Sequence, residues 1–207
     1  MNEYLKRKVI IMLKFGKKVS YRPILVSFYF TLIPLIAAIA GHFPIMYLVS
    51  LAVFLTVLLA YYLPNLPLIF NYWEADQDTI SYNDMTTYKR RISMILVPHK
   101  NQLVTINKKD IQSITVTGKI NNPDEITTPL EVTGYFAVLT PLLSMLKNPI
   151  TLNLVMTNGQ TIELSVSRDF AYDNKKTIEK LNQFFDSLDD SQIKIINYPN
   201  HNNVSFN

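Results

Sequence analysis

The feature that most constrains this chain is a long stretch without formal charge: no Lys, Arg, Asp or Glu occurs from Ile24 to Phe70. The hydrocarbon core of a bilayer is about 30 Å thick, and a helix needs roughly 20 apolar residues to cross it. The stretch is about twice that length and therefore predicts two membrane-spanning helices, Ile24 to His42 and Ile45 to Leu63. Two residues separate these spans, so we expect a helical hairpin over 24–63.

Charge at the flanks predicts the orientation of this hairpin, because cytoplasmic loops next to membrane spans are enriched in Lys and Arg. The N-terminal arm, residues 1–23, has one acid and seven basic residues: Lys6, Arg7, Lys8, Lys14, Lys17, Lys18 and Arg22. An even number of spans returns the chain to its starting side. We therefore expect a multi-pass protein of the cell membrane with both termini in the cytoplasm.

The arm also places apolar residues at close to helical spacing among its basic residues. This pattern predicts an amphipathic helix that lies on the anionic lipids of the inner leaflet. The alternative is that the charges only set the topology. A third interpretation is a secretory signal, because Ala38-Ile39-Ala40 resembles a cleavage site, and cleavage would place the rest of the chain outside the cell.

Residues within the spans favour an anchor over a transporter, since intramembrane charges usually mark transport pathways and none is present. Hydroxyl groups in the spans are expected to bond to their own backbone. Small residues at helix-contact spacing predict close packing inside the hairpin, or in a homo-oligomer, and they are Ala37, Gly41, Ala52, Thr56 and Ala60. Four aromatic residues predict an interfacial group at the cytoplasmic end: Tyr61, Tyr62, Tyr72 and Trp73.

The region 71–188 has the pattern of an α+β domain. Short apolar runs predict strands at Tyr72–Glu74, Thr79–Tyr82, Ile92–Val97, Leu103–Ile106 and Ile111–Thr117. A later hairpin is predicted to turn at Asn158-Gly159 with type I′ geometry. Asp173 or Asn174 is expected to cap a helix with Ile178, Leu181, Phe185 and Leu188 on one face. Residues 189–207 are predicted to form a flexible polar tail.

Two membrane helices, a Tyr/Trp-led strand, the segment Asp110–Ile114, the Asn158-Gly159 hairpin and one terminal helix occur in that order. This arrangement resembles bacterial two-helix membrane proteins with a pleckstrin-homology-like (PH-like) domain, including EbsA-like proteins. The resemblance implies a curved antiparallel β-sheet or barrel capped by a C-terminal helix. Such a domain serves as a scaffold for lipid or protein contact, and the resemblance carries over no functional residues.

Neither catalysis nor a cofactor is expected. The chain has no cysteine, and its three histidines, His42, His99 and His201, lie in different regions without metal-ligand spacing. Nucleic-acid binding is also disfavoured. Beyond Phe70 there are thirteen basic and fifteen acidic residues, which is not the clustered basic footprint that such binding requires.

The predicted function is therefore a cytoplasmic binding or scaffold module held at the inner leaflet. Its possible contact surface includes Lys89, Arg90 and Arg91. The segment 135–146, with Leu142 and Leu143, is either a core strand or a loop that dips into the membrane. The alternative function is an oligomeric pore-forming or envelope-stress component.

Overall fold

A computed structural model describes residues 12–100, 103–118, 145, 149–188 and 194–198. The predicted contacts Lys6, Arg7, Lys8, Leu142 and Leu143 lie outside these residues. The chain divides into two compact units. One comprises Lys17–Asn71 and Asn83–Val104, and the other comprises Met1–Gly16, Tyr72–Tyr82 and Thr105–Asn207. The first is a helical unit, and the second is an α+β unit.

The helical unit contains the predicted hairpin. Helix α1 covers Arg22–Ala40, and α2 covers Ile45–Leu55. A π-helical segment, Thr56–Tyr62, continues α2 into α3, Leu63–Ile69, so that one helix runs over Ile45–Ile69. The second span therefore extends beyond the predicted end at Leu63. Pro64 does not end it: this proline lies where the π-helical segment passes into α3, and the helix continues through it.

A third part of the helical unit is α4, Tyr88–Leu96. The hydroxyl of Thr87 caps it by accepting a hydrogen bond from the Arg90 amide at 3.4 Å. The predicted strand Ile92–Val97 is therefore wrong. The alternation of Ile92, Met94 and Leu96 suggested a strand, in which all three would lie on one buried face. Instead Ile92 and Leu96 are exposed, and Met94 and its neighbour Ile95 are buried, which fits a helix.

Within its described residues, the α+β unit contains two four-stranded sheets. The first has the order β1-β2-β3-β4, with strands Leu13–Gly16, Tyr72–Ala75, Thr79–Tyr82 and Val104–Asn107. In β1, Leu13 and Phe15 are buried and Lys14 is exposed, which is the two-residue period of a strand. The amphipathic helix predicted for the arm is therefore wrong over Leu13–Gly16. This segment forms a strand because β2 offers it a partner far along the chain, with Leu13 opposite Ala75.

The second sheet has the order β7-β6-β5-β8, with strands β5 Ile111–Thr117, β6 Thr151–Met156, β7 Thr161–Ser165 and β8 Lys194–Tyr198. Strand β8 runs parallel to β5. The flexible tail predicted for 189–207 is therefore wrong over Lys194–Tyr198, where the backbone completes the edge of a sheet. The strand pairs with residues about 80 positions earlier, a partner that local patterns do not reveal.

The β6–β7 hairpin is confirmed, but its turn is not type I′. Gly159 alone in this loop has a positive φ, 83°, whereas type I′ requires two such residues. The Gly159 amide donates to the Met156 carbonyl at 2.9 Å, and the Met156 amide donates to the Gln160 carbonyl at 2.8 Å. These bonds define a three-residue loop, Thr157–Gly159, with glycine in the left-handed position.

Two helices follow β7: α5, Ser167–Tyr172, and α6, Asn174–Asp186. The side chain of Asp173 caps α6, as predicted, by accepting from the Lys176 amide at 3.1 Å. The core of the unit includes Leu181 and Phe184 of α6 together with Phe15 and Trp73. Leu181 was predicted on the buried face, whereas Phe184 was missed.

Candidate membrane interface

Two helices of the helical unit, Arg22–Ala40 and Ile45–Ile69, are long and apolar enough to cross a membrane. Only 22% of the first candidate span and 17% of the second is buried by the described chain. An apolar helix in the core of a soluble protein would be mostly buried. Contiguous apolar surface of this size marks a site of contact with lipid or with another protein.

The contact between α1 and the second helix uses a polar face of α1. Ser27, Thr31 and Ala38 are buried, and their spacing places them on one side of the helix. The Ser27 hydroxyl donates to the Pro23 carbonyl at 2.8 Å, and the Thr31 hydroxyl donates to the Ser27 carbonyl at 2.8 Å. The prediction that span hydroxyls bond to their own backbone is confirmed for these two. The Ser50 hydroxyl is buried and has no partner among the described residues.

The small residues predicted to pack inside the hairpin or in a homo-oligomer do not line this contact, because they are exposed: Ala37, Gly41, Ala52, Thr56 and Ala60. Their packing in a homo-oligomer stays a prediction. Ala38 rather than Ala37 faces the partner helix, because neighbouring residues project about 100° apart around a helix. Gly41 instead belongs to the turn that follows α1. A Cβ atom there would lie 2.5 Å from the Phe43 ring and 2.8 Å from the Ala37 carbonyl, so only glycine permits this packing.

The two ends of the hairpin are adjacent, since the Lys17 amide donates to the Asn71 carbonyl at 2.8 Å. A hydrophobic cluster lies at this base. It consists of Val19, Leu58, Tyr62, Leu63, Leu66, Phe70, Met85, Met94 and Ile95. Because the cluster includes residues of both α3 and α4, it holds α4 against the base of the hairpin.

The predicted basic contacts have different environments. Lys14 is exposed on β1 of the α+β unit, whereas Lys17 is half-buried and Lys18 and Arg22 are exposed in the helical unit. On α4, Lys89 is exposed. Arg90 forms an ion pair with Asp84. The Arg91 Nε donates to the Met85 carbonyl at 2.7 Å, and its guanidinium lies 5.1 Å from the centroid of the Tyr88 ring.

The four aromatic residues predicted at the membrane interface do not form one group. Tyr61 is partly exposed, but Tyr62 is buried in the cluster at the hairpin base. Trp73 and Tyr72 are buried in the α+β unit, so an interfacial role for them is wrong. Trp73 stacks on Phe15 at 4.1 Å between ring centroids, and its indole N–H donates to the Ser165 carbonyl at 3.1 Å. The interfacial role was predicted because Tyr72 and Trp73 follow the second span closely in the sequence.

A cavity of about 290 Å³ lies beside α4 in the helical unit. Polar side chains on its lining are Asp84, Arg90, Ser93 and Lys100, and apolar ones are Met94, Leu103 and Val104. The Asp84 carboxylate already pairs with Arg90. Lys100 is thus the lining cation that no acidic group of this cavity neutralises.

Within the described residues, no group of three or more His, Cys, Asp or Glu side chains could hold a metal ion. Comparison of the chain with protein-family models, curated proteins and solved structures gives no match.

Proposed function

We propose that this protein is a membrane-anchored binding or scaffold module. In this proposal the hairpin Arg22–Ile69 spans the cell membrane twice, and the α+β unit is a PH-like domain on the cytoplasmic face. The domain recruits a lipid or a protein at the inner leaflet, without catalysis. The observation that carries the proposal is the pairing of β1 with β2 on either side of two exposed apolar helices.

This pairing bears on topology because β1 precedes the hairpin and β2 follows it. Gly16 lies opposite Tyr72 in the sheet, and the Lys17–Asn71 hydrogen bond brings the hairpin ends together. Strands that share backbone hydrogen bonds must lie on the same side of a bilayer, which requires an even number of spans between them. The basic residues Lys18 and Arg22 at this end favour the cytoplasmic side.

The same pairing argues against a cleaved signal peptide. Cleavage after Ala40 would remove β1, and with it Phe15, which is fully buried against Trp73. A pore is disfavoured by the direction of the hydroxyl groups. Ser27, Thr31 and Ser50 are buried within the hairpin, so Thr56 is the one Ser or Thr of the two described spans that the exposed surface offers to water.

The PH-like assignment is supported by antiparallel strands in both sheets and by the packing of α6 on the core. Strand β8, parallel to β5 and after the terminal helix, is an addition to the arrangement that the resemblance implies.

Cysteine labelling in cells tests this topology, because the natural chain contains no cysteine. Phe43→Cys places a thiol in the turn between the spans, and Thr157→Cys places one in an exposed loop of the α+β unit. We expect a membrane-impermeant maleimide to label Phe43→Cys in intact cells and Thr157→Cys only after lysis. The cysteine-free parent controls for background labelling.

Labelling of Thr157→Cys in intact cells would refute the cytoplasmic domain. An intact mass that lacks the first 40 residues would refute the two-span anchor. Release of the protein from membranes by alkaline carbonate would show that the apolar helices are not embedded in lipid.

A further inference from the structure

Helix α4 carries an apolar stripe on its exposed side. Tyr88, Ile92 and Leu96 follow at intervals of four and fall within an arc of about 80° on the helix. Their exposed fractions are 62%, 40% and 56%. Met94, about 160° round the helix from Ile92, and Ile95, about 60° from Ile92 on the side of Tyr88, are buried in the cluster at the base of the hairpin. The described chain thus covers Met94 and Ile95 and leaves the stripe of Tyr88, Ile92 and Leu96 exposed.

The charged residues of α4 and of the segment that follows it are all basic. The segment 88–100 contains Lys89, Arg90, Arg91 and Lys100 and no acidic residue. Asp84 neutralises Arg90, which leaves three cations around the apolar stripe. An apolar face bordered by basic residues is the pattern of a helix that lies in a membrane interface and contacts anionic headgroups.

Contacts within the helical unit place this stripe beside the anchor. Helix α4 packs on α3 and on α1, the two helices that form the base of the hairpin. The cluster includes Val19, which precedes α1, and Phe70, which follows α3, so α4 is held level with the ends of both spans. A helix at that level meets the headgroup layer when the spans cross the bilayer.

We propose that α4 is an interfacial helix whose Tyr88–Ile92–Leu96 stripe inserts into the inner leaflet while Lys89, Arg91 and Lys100 contact anionic lipid headgroups. This inference rests on the proposed function, because it requires the hairpin to span the membrane. It adds a lipid-binding surface that belongs to the helical unit and not to the α+β unit. The ion pair of Arg90 with Asp84 and the bond from Arg91 to Met85 hold α4 to the preceding loop.

Site-directed spin labelling of the full chain tests the inference. Single cysteines at Ile92 and Leu96 carry the label on the stripe. Ser93→Cys, which projects about 100° from Ile92 and about 60° from Leu96, is the control on the same helix. The protein is reconstituted in vesicles of phosphatidylcholine with a quarter phosphatidylglycerol. We expect a severalfold higher ratio of oxygen to nickel-chelate accessibility at positions 92 and 96 than at 93.

Ile33→Cys, on the exposed side of the first span, separates the two proposals. A lipid-immersed label at 33 with water-exposed labels at 92 and 96 would overturn the inference and leave the anchor intact. A water-exposed label at 33 would overturn both. Labels at 92 and 96 that neither reagent reaches would indicate a protein partner or a second copy, which would also overturn lipid insertion. Equal immersion in pure phosphatidylcholine would overturn the contact with anionic headgroups.

Discussion

Replacing Phe15 by alanine should destabilise the α+β unit strongly, although this residue lies in the basic N-terminal arm. Its side chain is fully buried, stacks on Trp73 and has the Lys180 ammonium 5.3 Å from its ring centroid. Truncation of a core phenylalanine to alanine costs about 3–5 kcal/mol. Small domains have about 5–15 kcal/mol in total, so Phe15→Ala should remove a large part of the stability of this unit.

The sole tryptophan provides the assay, because Trp73 lies in the core of the α+β unit. Its fluorescence, followed during urea titration of the full chain in mild detergent, reports on that unit and not on the spans. With a denaturant dependence of about 2 kcal/mol per molar urea, a loss of about 4 kcal/mol lowers the unfolding midpoint by about 2 M.

Lys14→Ala is the matched control. Lys14 is the neighbour of Phe15 on the same strand, but its side chain is exposed. Surface substitutions usually change stability by less than about 0.5 kcal/mol. If both variants lower the midpoint equally little, β1 does not pair with β2, and the arm is the membrane-surface helix that its spacing of apolar residues suggested.

Three further substitutions test local features. Ala38→Leu should destabilise the hairpin by about 1–3 kcal/mol in a circular-dichroism melt, because Ala38 is buried between the helices, whereas Ala37→Leu should have little effect. Gly159→Ala should cost about 1–2 kcal/mol by Trp73 fluorescence, since the Cβ has open space and only the φ of 83° opposes it. Burial acts to raise the pKa of Asp76, but hydrogen bonds from Thr79 and the amide of residue 78 lower it overall. The Asp76 carboxylate therefore stabilises the fold above its unfolded pKa, so Asp76→Asn should lower stability at pH 7, and the difference should vanish as pH falls below the folded pKa.

Features encoded by local patterns could be predicted from the sequence. The charge-free stretch located both apolar helices, and alternation located β6 and β7. The cap at Asp173 was also found, because capping depends on residues within one turn. These features need no knowledge of distant partners.

Features decided by distant partners could not be predicted. Strand β1 exists because Trp73 and its strand lie beside it, and β8 exists because β5 has a free edge. The α4 stripe was missed for a related reason, since Ile92, Met94 and Leu96 fit a strand as well as a helix. Burial of Met94 with Ile95 against the hairpin base selects the helix.

Because β1 pairs with β2, the α+β unit can fold only if both strands lie on the same side of the membrane, which requires an even number of spans between them. With the hairpin across the membrane as proposed, deletion of residues 24–44 leaves one span and puts Phe15 and Trp73 on opposite sides of the bilayer. The domain should then lose protease resistance. Replacement of residues 19–69 by a short Gly/Ser linker should preserve it, because the Lys17 amide and the Asn71 carbonyl are 2.8 Å apart. Equal protease resistance of the one-span variant and the parent would contradict the coupling, since a strand cannot reach its partner through the bilayer.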